Sequence, residues 1–160
     1  MDPAGPYFFH NFVDDFPNGQ DGQRLDPTDA SHVDIIHTDQ LLGSMTIMGE
    51  TDFYAGASPS SFGTSQACCW HFKCDHSRAH LIILESLKQP KLRLPVSRCT
   101  LSDQHLTGCQ ELENPPQVGY FYNGSHPGVN GVIFGSGEVA KCKFYGRTYL
   151  FTHTLYFSCH

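Results

Sequence analysis

His32-Val33-Asp34-Ile35-Ile36-His37 is a short apolar run rich in β-branched residues, the pattern of a buried strand. Further along, the period changes. From Asp75 to Leu87, the side chains of Ala79, Ile82, Ile83 and Leu87 recur on one helical face, which predicts a helix that Pro90 brings to an end. A buried strand and an amphipathic helix in one short chain predict an α/β fold, or part of one. Around these two elements the reading is looser. Residues 1–31 carry Gly, Pro, Asn and Asp throughout and predict a long, turn-rich loop, and residues 55–67 a second loop. Residues 91–138 read as mostly irregular, with Val118–Tyr122 as a possible strand. Residues 139–157 are rich in Phe, Tyr and Thr, with Gly146 at a hairpin turn, so the tail reads as β.

The 160 residues suffice for one domain with a real core. With 39% hydrophobic and 16% charged residues, the composition excludes a coiled coil and a disordered acidic tail. No apolar run is long enough to span a membrane. Charge is uneven: residues 1–52 hold ten Asp and Glu against the single base Arg24, net −9, while the rest of the chain is net +3. So acidic a first third argues against a nucleic-acid partner, which needs a basic face. Clustered carboxylates in a turn-rich stretch instead suit a hard cation such as calcium.

Seven cysteines, at 68, 69, 74, 99, 109, 142 and 159, raise two readings. Cys69 and Cys74 with His71 and His76 superficially resemble a zinc cluster, but Cys99 and Cys109 make a poor second ligand pair. Disulfides fit better. Asn123-Gly124-Ser125 is an N-glycosylation sequon, which matters only outside the cytosol, so both features predict a secreted protein. Met1-Asp2-Pro3 has neither the basic nor the apolar region of a signal peptide, and the expectation is that such a segment lies upstream.

Three segments then carry a resemblance. Met1-Asp2-Pro3-Ala4-Gly5-Pro6 is similar to the G-L-D-P-A-x-P motif of the animal lipase family, which includes pancreatic lipase, lipoprotein lipase and secreted phospholipases A1. Arg24-Leu25-Asp26-Pro27-Thr28-Asp29-Ala30, running into Val33–Asp39, resembles the stretch that follows it there. Cys74-Asp75-His76-Ser77-Arg78 looks like the family's C-x-H-x-R, and Gly49 with Asp52-Phe53-Tyr54 like its G-H-x-D-F-Y, with Glu50 where His is usual. The resemblance is strong over residues 1–87, weaker over 88–124 and faint over 125–160. It implies that residues 1–160 are the C-terminal portion of an α/β-hydrolase catalytic domain.

The resemblance implies ester hydrolysis by a Ser–His–Asp triad, with Asp2 as the acid and His76 as the general base. Taken singly, Asp2 reads as an Asp-Pro turn and His76 as a surface histidine; the motif spacing is what joins them. No G-x-S-x-G occurs in the chain, and Gly63-Thr64-Ser65-Gln66-Ala67 ends in Ala and follows the acid rather than preceding it. The nucleophile is therefore expected upstream of residue 1, and the chain by itself is expected to be inactive. A structural calcium is also implied, at Asp21, the Arg24 carbonyl, Asp26 and Asp29, against the plainer reading of a solvated acidic loop. No organic cofactor is expected. The family's lid disulfide would join Cys74 to Cys68 or Cys69, Cys99 to Cys109 resembles the next bridge, and Cys142 with Cys159 is a further possible pair. So short a lid loop favours a phospholipid or small ester at a lipid interface over triacylglycerol. The competing reading is a lipase-like binding or storage protein, similar to yolk proteins of this family, or a fragment without function.

Overall fold

The computed structural model describes residues 2–3, 25–56, 58–64, 66, 69, 72–91 and 93–133, together with the backbone of 140–144 and 147–151. Five strands, β1 (Asp34–His37), β2 (Thr51–Gly56), β3 (Val96–Ser102), β4 (His105–Glu111) and β5 (Gly128–Ile133), form one sheet in the order β1-β2-β5-β3-β4. β1, β2 and β5 run parallel, whereas β3 is antiparallel to both its neighbours. One helix, α1 (Phe72–Lys88), connects β2 to β3. A separate antiparallel pair, β6 (Ala140–Phe144) and β7 (Arg147–Phe151), forms the expected hairpin; Gly146 lies outside the described residues.

The sheet has an apolar layer on each face. Ile36, Phe53, Ala55, Val96 and Val132 join Ile82 of α1, with Leu94 and Val118, in the main cluster. Tyr54, Met45, Phe62 and Cys99 form the cluster on the opposite face. Alternation along β2 sends Phe53 and Ala55 one way and Tyr54 the other, so every residue of that strand is buried. Helix α1 has its Ala79 and Ile82 buried as its periodicity predicts, but Leu87 is 42% exposed. The buried stripe runs instead through Asp75, Arg78 and Ser86, whose Oγ accepts the Tyr120 N–H at 2.9 Å.

Three readings of the sequence need correction. The loop expected from residue 55 starts later, since Ala55 and Gly56 pair with Val132 and Ile133 in the sheet. Residues 91–138 are not mostly irregular, for β3, β4 and β5 lie within them. Val118–Tyr122 is not a strand: Gly119 takes φ +95°, which breaks an extended run, and Val118 is buried in the core while Tyr120 and Phe121 stay exposed. The β3–β4 hairpin turns on Asp103 and Gln104, both at positive φ (48° and 63°), the geometry of a two-residue primed turn. Its register shifts between Arg98 and Thr100, opposite Gly108, and Cys99 bonds Cys109 across that irregularity.

Candidate active site

Strand β1 ends at His37, and the next residue, Thr38, is where the site is built. Its backbone N–H donates to Asp2 Oδ1 at 3.2 Å, and its Oγ1 lies 3.2 Å from Asp2 Oδ2. The second oxygen of Asp2 also faces α1, where His76 Nδ1 lies 2.8 Å away. Two residues far apart in sequence thus meet, one of them nearly sealed: the Asp2 side chain is 1% exposed and that of His76 31%. A carboxylate beside Nδ1 accepts the Nδ1–H, which leaves the lone pair on Nε2, on a ring open to solvent. That is the arrangement a general base needs, with its tautomer set by a buried acid.

The seat of Asp2 is tight. A Cβ on Gly43 would collide with both carboxylate oxygens and with the Asp39 carbonyl, so only glycine lets the 39–43 turn close over the acid. That turn is held by Asp39 Oδ2, which accepts the Leu42 N–H at 2.7 Å. Burial pushes the Asp2 carboxyl above its ordinary value, and the hydrogen bond to His76, the Thr38 N–H and the nearby charges of His37 and His76 pull it part of the way back.

Gln66 locks the parts together. Its backbone N–H donates to Asp75 Oδ1 at 2.8 Å, next to His76 in the first turns of α1. Its Nε2 donates to the carbonyls of Thr38 (2.9 Å) and Ala55 (2.8 Å), at the ends of β1 and β2. The acid's clamp and the base's helix are therefore tied through one side chain. Cys69 is bonded to Cys74, which resolves the choice between Cys68 and Cys69 and removes those sulfurs from any zinc site.

A second His–Asp pair lies beneath the first and does a different job. His37 Nε2 is 2.7 Å from Asp52 Oδ1, its Nδ1 is 2.5 Å from the Ser44 carbonyl, and both side chains are fully buried. Each ring nitrogen faces an acceptor, so neither is left as a base. Asp52 also accepts the N–H groups of Met48 and Gly49, and the His37 ring stacks on Tyr54 at 4.3 Å. Burial, with the Asp52 charge adding to it, drives the Tyr54 hydroxyl far above its usual range, so it stays a neutral donor to the Met45 carbonyl. The sequence puts Gln66 in a loop and Thr38 within the Val33–Asp39 stretch, and assigns no role to either or to Gly43. Only the contacts reveal them, since Thr and Gln carry no spacing signal of their own.

Of the expected calcium ligands, Asp26 and Asp29 lie among the described residues. Asp26 Oδ1 accepts from the backbone and hydroxyl of Thr28, and Asp29 Oδ2 accepts the Asp26 N–H, an ordinary carboxylate-capped turn. Asp21 and Arg24 lie outside the described residues. Among the described residues, no group of three His, Cys, Asp or Glu is placed to hold a metal ion. No helix among them is long and apolar enough to cross a membrane.

Comparison with known proteins points the same way as the motifs. The chain is 38% identical over 95 residues to lipase member H of Oryctolagus cuniculus, covering 56% of this chain and 19% of that protein. It is 31% identical over 131 residues to phospholipase A1 2 of Vespa affinis, covering 76% and 36%. It is 32% identical over 134 residues to phospholipase A1 of Vespula maculifrons, covering 76% and 40%. No protein-family model and no solved structure matches the chain. The chain thus spans between a fifth and two fifths of the length of these relatives, and over that part it belongs to the pancreatic-lipase-like family of animal lipases.

Proposed function

We propose that the complete protein is a secreted carboxylic-ester hydrolase of lipid esters, with Asp2 and His76 as acid and base of a Ser–His–Asp triad in an α/β-hydrolase domain. The observation that carries this reading is the contact of His76 Nδ1 with Asp2 Oδ2 at 2.8 Å, buried on the acid side and open on the base side. The serine is supplied by a part of the protein outside these residues. His76 takes its proton through Nε2 as the serine oxygen attacks the ester carbonyl, then returns it to the leaving alcohol. Asp2 holds the ring and stabilises the imidazolium that forms between those steps.

The two disulfides among the described residues support an oxidising, extracellular setting. The Cys69–Cys74 bridge closes a loop of sequence separation 5 beside the base, too small to roof an acyl groove, which favours phospholipid or short esters over triacylglycerol. A calcium ion held by Asp21, the Arg24 carbonyl, Asp26 and Asp29 belongs to the same proposal. Asp26 and Asp29 are the ligands within the described structure, and the ion would brace the segment that follows the acid. A flat calorimetric titration with Ca²⁺ removes it.

The test uses protein expressed from the complete gene. A fluorophosphonate probe should label it, phosphatidylcholine vesicles should lose an acyl chain, and His76→Ala should cost about 10⁴-fold or more in turnover. A folded, disulfide-intact protein with neither labelling nor turnover refutes the enzyme. It leaves the lipase-like binding or storage protein, the reading towards which Glu50, standing where the family has His, leans.

A further inference from the structure

The connection from β4 to β5 passes through Tyr120-Phe121-Tyr122-Asn123-Gly124-Ser125-His126, and its side chains alternate in what they do. Tyr122 turns inward. Its hydroxyl lies 3.0 Å from Thr51 Oγ1 and accepts the His126 N–H at 2.9 Å, and its ring meets Phe53 edge-on at 5.0 Å. The Tyr120 N–H is held by Ser86 of α1. With both flanks anchored, the residues between are displayed on a fixed frame.

Asn123 is exposed in that frame, and its Oδ1 accepts the Ser125 N–H at 3.2 Å, an Asx turn. Gly124 takes φ +74°, and a Cβ there would press on the His32 ring at 3.1 Å, so glycine suits the middle position on both counts. Ser125 is exposed, its hydroxyl 2.8 Å from His126 Nδ1. The Asn123 amide nitrogen donates to no described residue. Just before it, Tyr120 and Phe121 are 64% and 42% exposed and meet edge to face at 5.2 Å. Phe121 and Asn123 line one hollow of about 240 Å³ together with Arg93 and Pro115–Gln117. Two exposed rings beside a polar turn form an apolar patch that water covers poorly.

We propose that Asn123 carries an N-linked glycan whose first sugars lie over the Tyr120–Phe121 ring pair. The proposal rests on the extracellular part of the reading above. The donor is an oligosaccharide held on a lipid diphosphate in the secretory pathway. Asn123 Nδ2 bonds to the sugar C1 as the C1–O bond to the diphosphate breaks; the electron pair leaves on the phosphate oxygen and the amide proton passes to a base of the transferring enzyme. A hydroxyl two residues on, a non-proline in the middle and a non-proline after the hydroxyl residue are all present. The apolar C–H face of a pyranose then finds the Phe121 and Tyr120 rings where the turn holds them, and covers surface that the fold leaves bare.

The experiment is peptide mapping of the protein made by eukaryotic cells from its complete gene, collected from cells and medium together. Expected is a glycan on the peptide containing position 123, released by an amidase that leaves an aspartate there, abolished by Ser125→Ala and kept by Ser125→Thr. An unmodified Asn123 amide in protein whose Cys69–Cys74 and Cys99–Cys109 bridges are intact overturns the site while sparing the extracellular reading. An unmodified amide with free thiols overturns both. For the stacking, enzymatic removal of the glycan should lower the thermal midpoint of the unaltered protein by a few degrees, and Phe121→Ala should erase that difference. An equal drop in the variant overturns the stacking.

Discussion

Adding one methyl group at Gly43 should uncouple the acid from the base without touching either. The Cβ of Gly43→Ala would overlap both Asp2 carboxylate oxygens and the Asp39 carbonyl. The turn cannot slide away cheaply, because the Asp39 side chain caps it through Leu42 at 2.7 Å. The carboxylate must give, losing the Thr38 N–H and the alignment with His76 Nδ1. Overpacking of this kind costs about 1–3 kcal/mol. At about 3 °C per kcal/mol for a chain of this size, the thermal midpoint should fall by about 3–9 °C. Displacing the acid by about 1 Å should cost about 10²-fold in ester turnover of the complete protein. The assay pairs turnover with nitrogen-15 NMR of the His76 ring, whose Nδ1–H signal should lose its downfield, carboxylate-bonded position. If Gly43→Ala keeps that signal and turnover within about two-fold, far inside the displacement cost, Asp2 is not seated as described.

Other outcomes follow from the packing and the charges. Ile82→Ala empties a site 1% exposed in the main cluster and should cost about 2–5 kcal/mol, whereas Leu87→Ala on the same helix should stay within about 0.5 kcal/mol; equal losses in thermal unfolding would refute the assigned helix face. Asp52→Ala strands the buried His37 and two backbone N–H groups and should cost about 3–5 kcal/mol in urea unfolding, and a loss below about 1 kcal/mol would refute the pair's role. The pH dependence of Asp2 has a definite sign. Its folded carboxyl holds its proton above the unfolded value of 3.8, so falling pH adds stability through Asp2 while depriving His76 of its anion. Relative to Asp2→Asn, the unaltered chain should therefore gain in thermal midpoint as pH falls through that window, and a relative loss would reverse the assignment.

How much of this was legible beforehand depended on whether a side chain's neighbours were local. The helix and β1 were readable because Ala79 and Ile82 recur at the helical period and Ile35 and Ile36 make a β-branched run, all four of them buried. β5 was not, since Gly128-Val129-Asn130-Gly131-Val132-Ile133, with two glycines and an asparagine, falls in the stretch that reads as mostly irregular. It is nonetheless a central strand, and Gly131 lacks a side chain because the Phe62 ring occupies that space. β3 and β4 escaped notice for another reason. Most of their residues are half-buried or exposed, so no alternation develops, and Asp103-Gln104 is not a dipeptide that announces a hairpin. Of the site, the motifs named Asp2 and His76, and the structure brings those two into contact. The residues that hold them there were silent, because their function lies wholly in long-range contacts.

Gln66 gives the molecule a property that neither dyad member has alone. Its amide spans the two strand ends and its own N–H reaches the helix, so the 38, 55 and 75 positions share one latch. A latch of this kind makes local opening all-or-none: neither strand end can open while the helix stays closed. Hydrogen exchange at the amides of Thr38, Gln66 and His76 should then proceed at a common rate, as a single cooperative unit rather than three separate fluctuations.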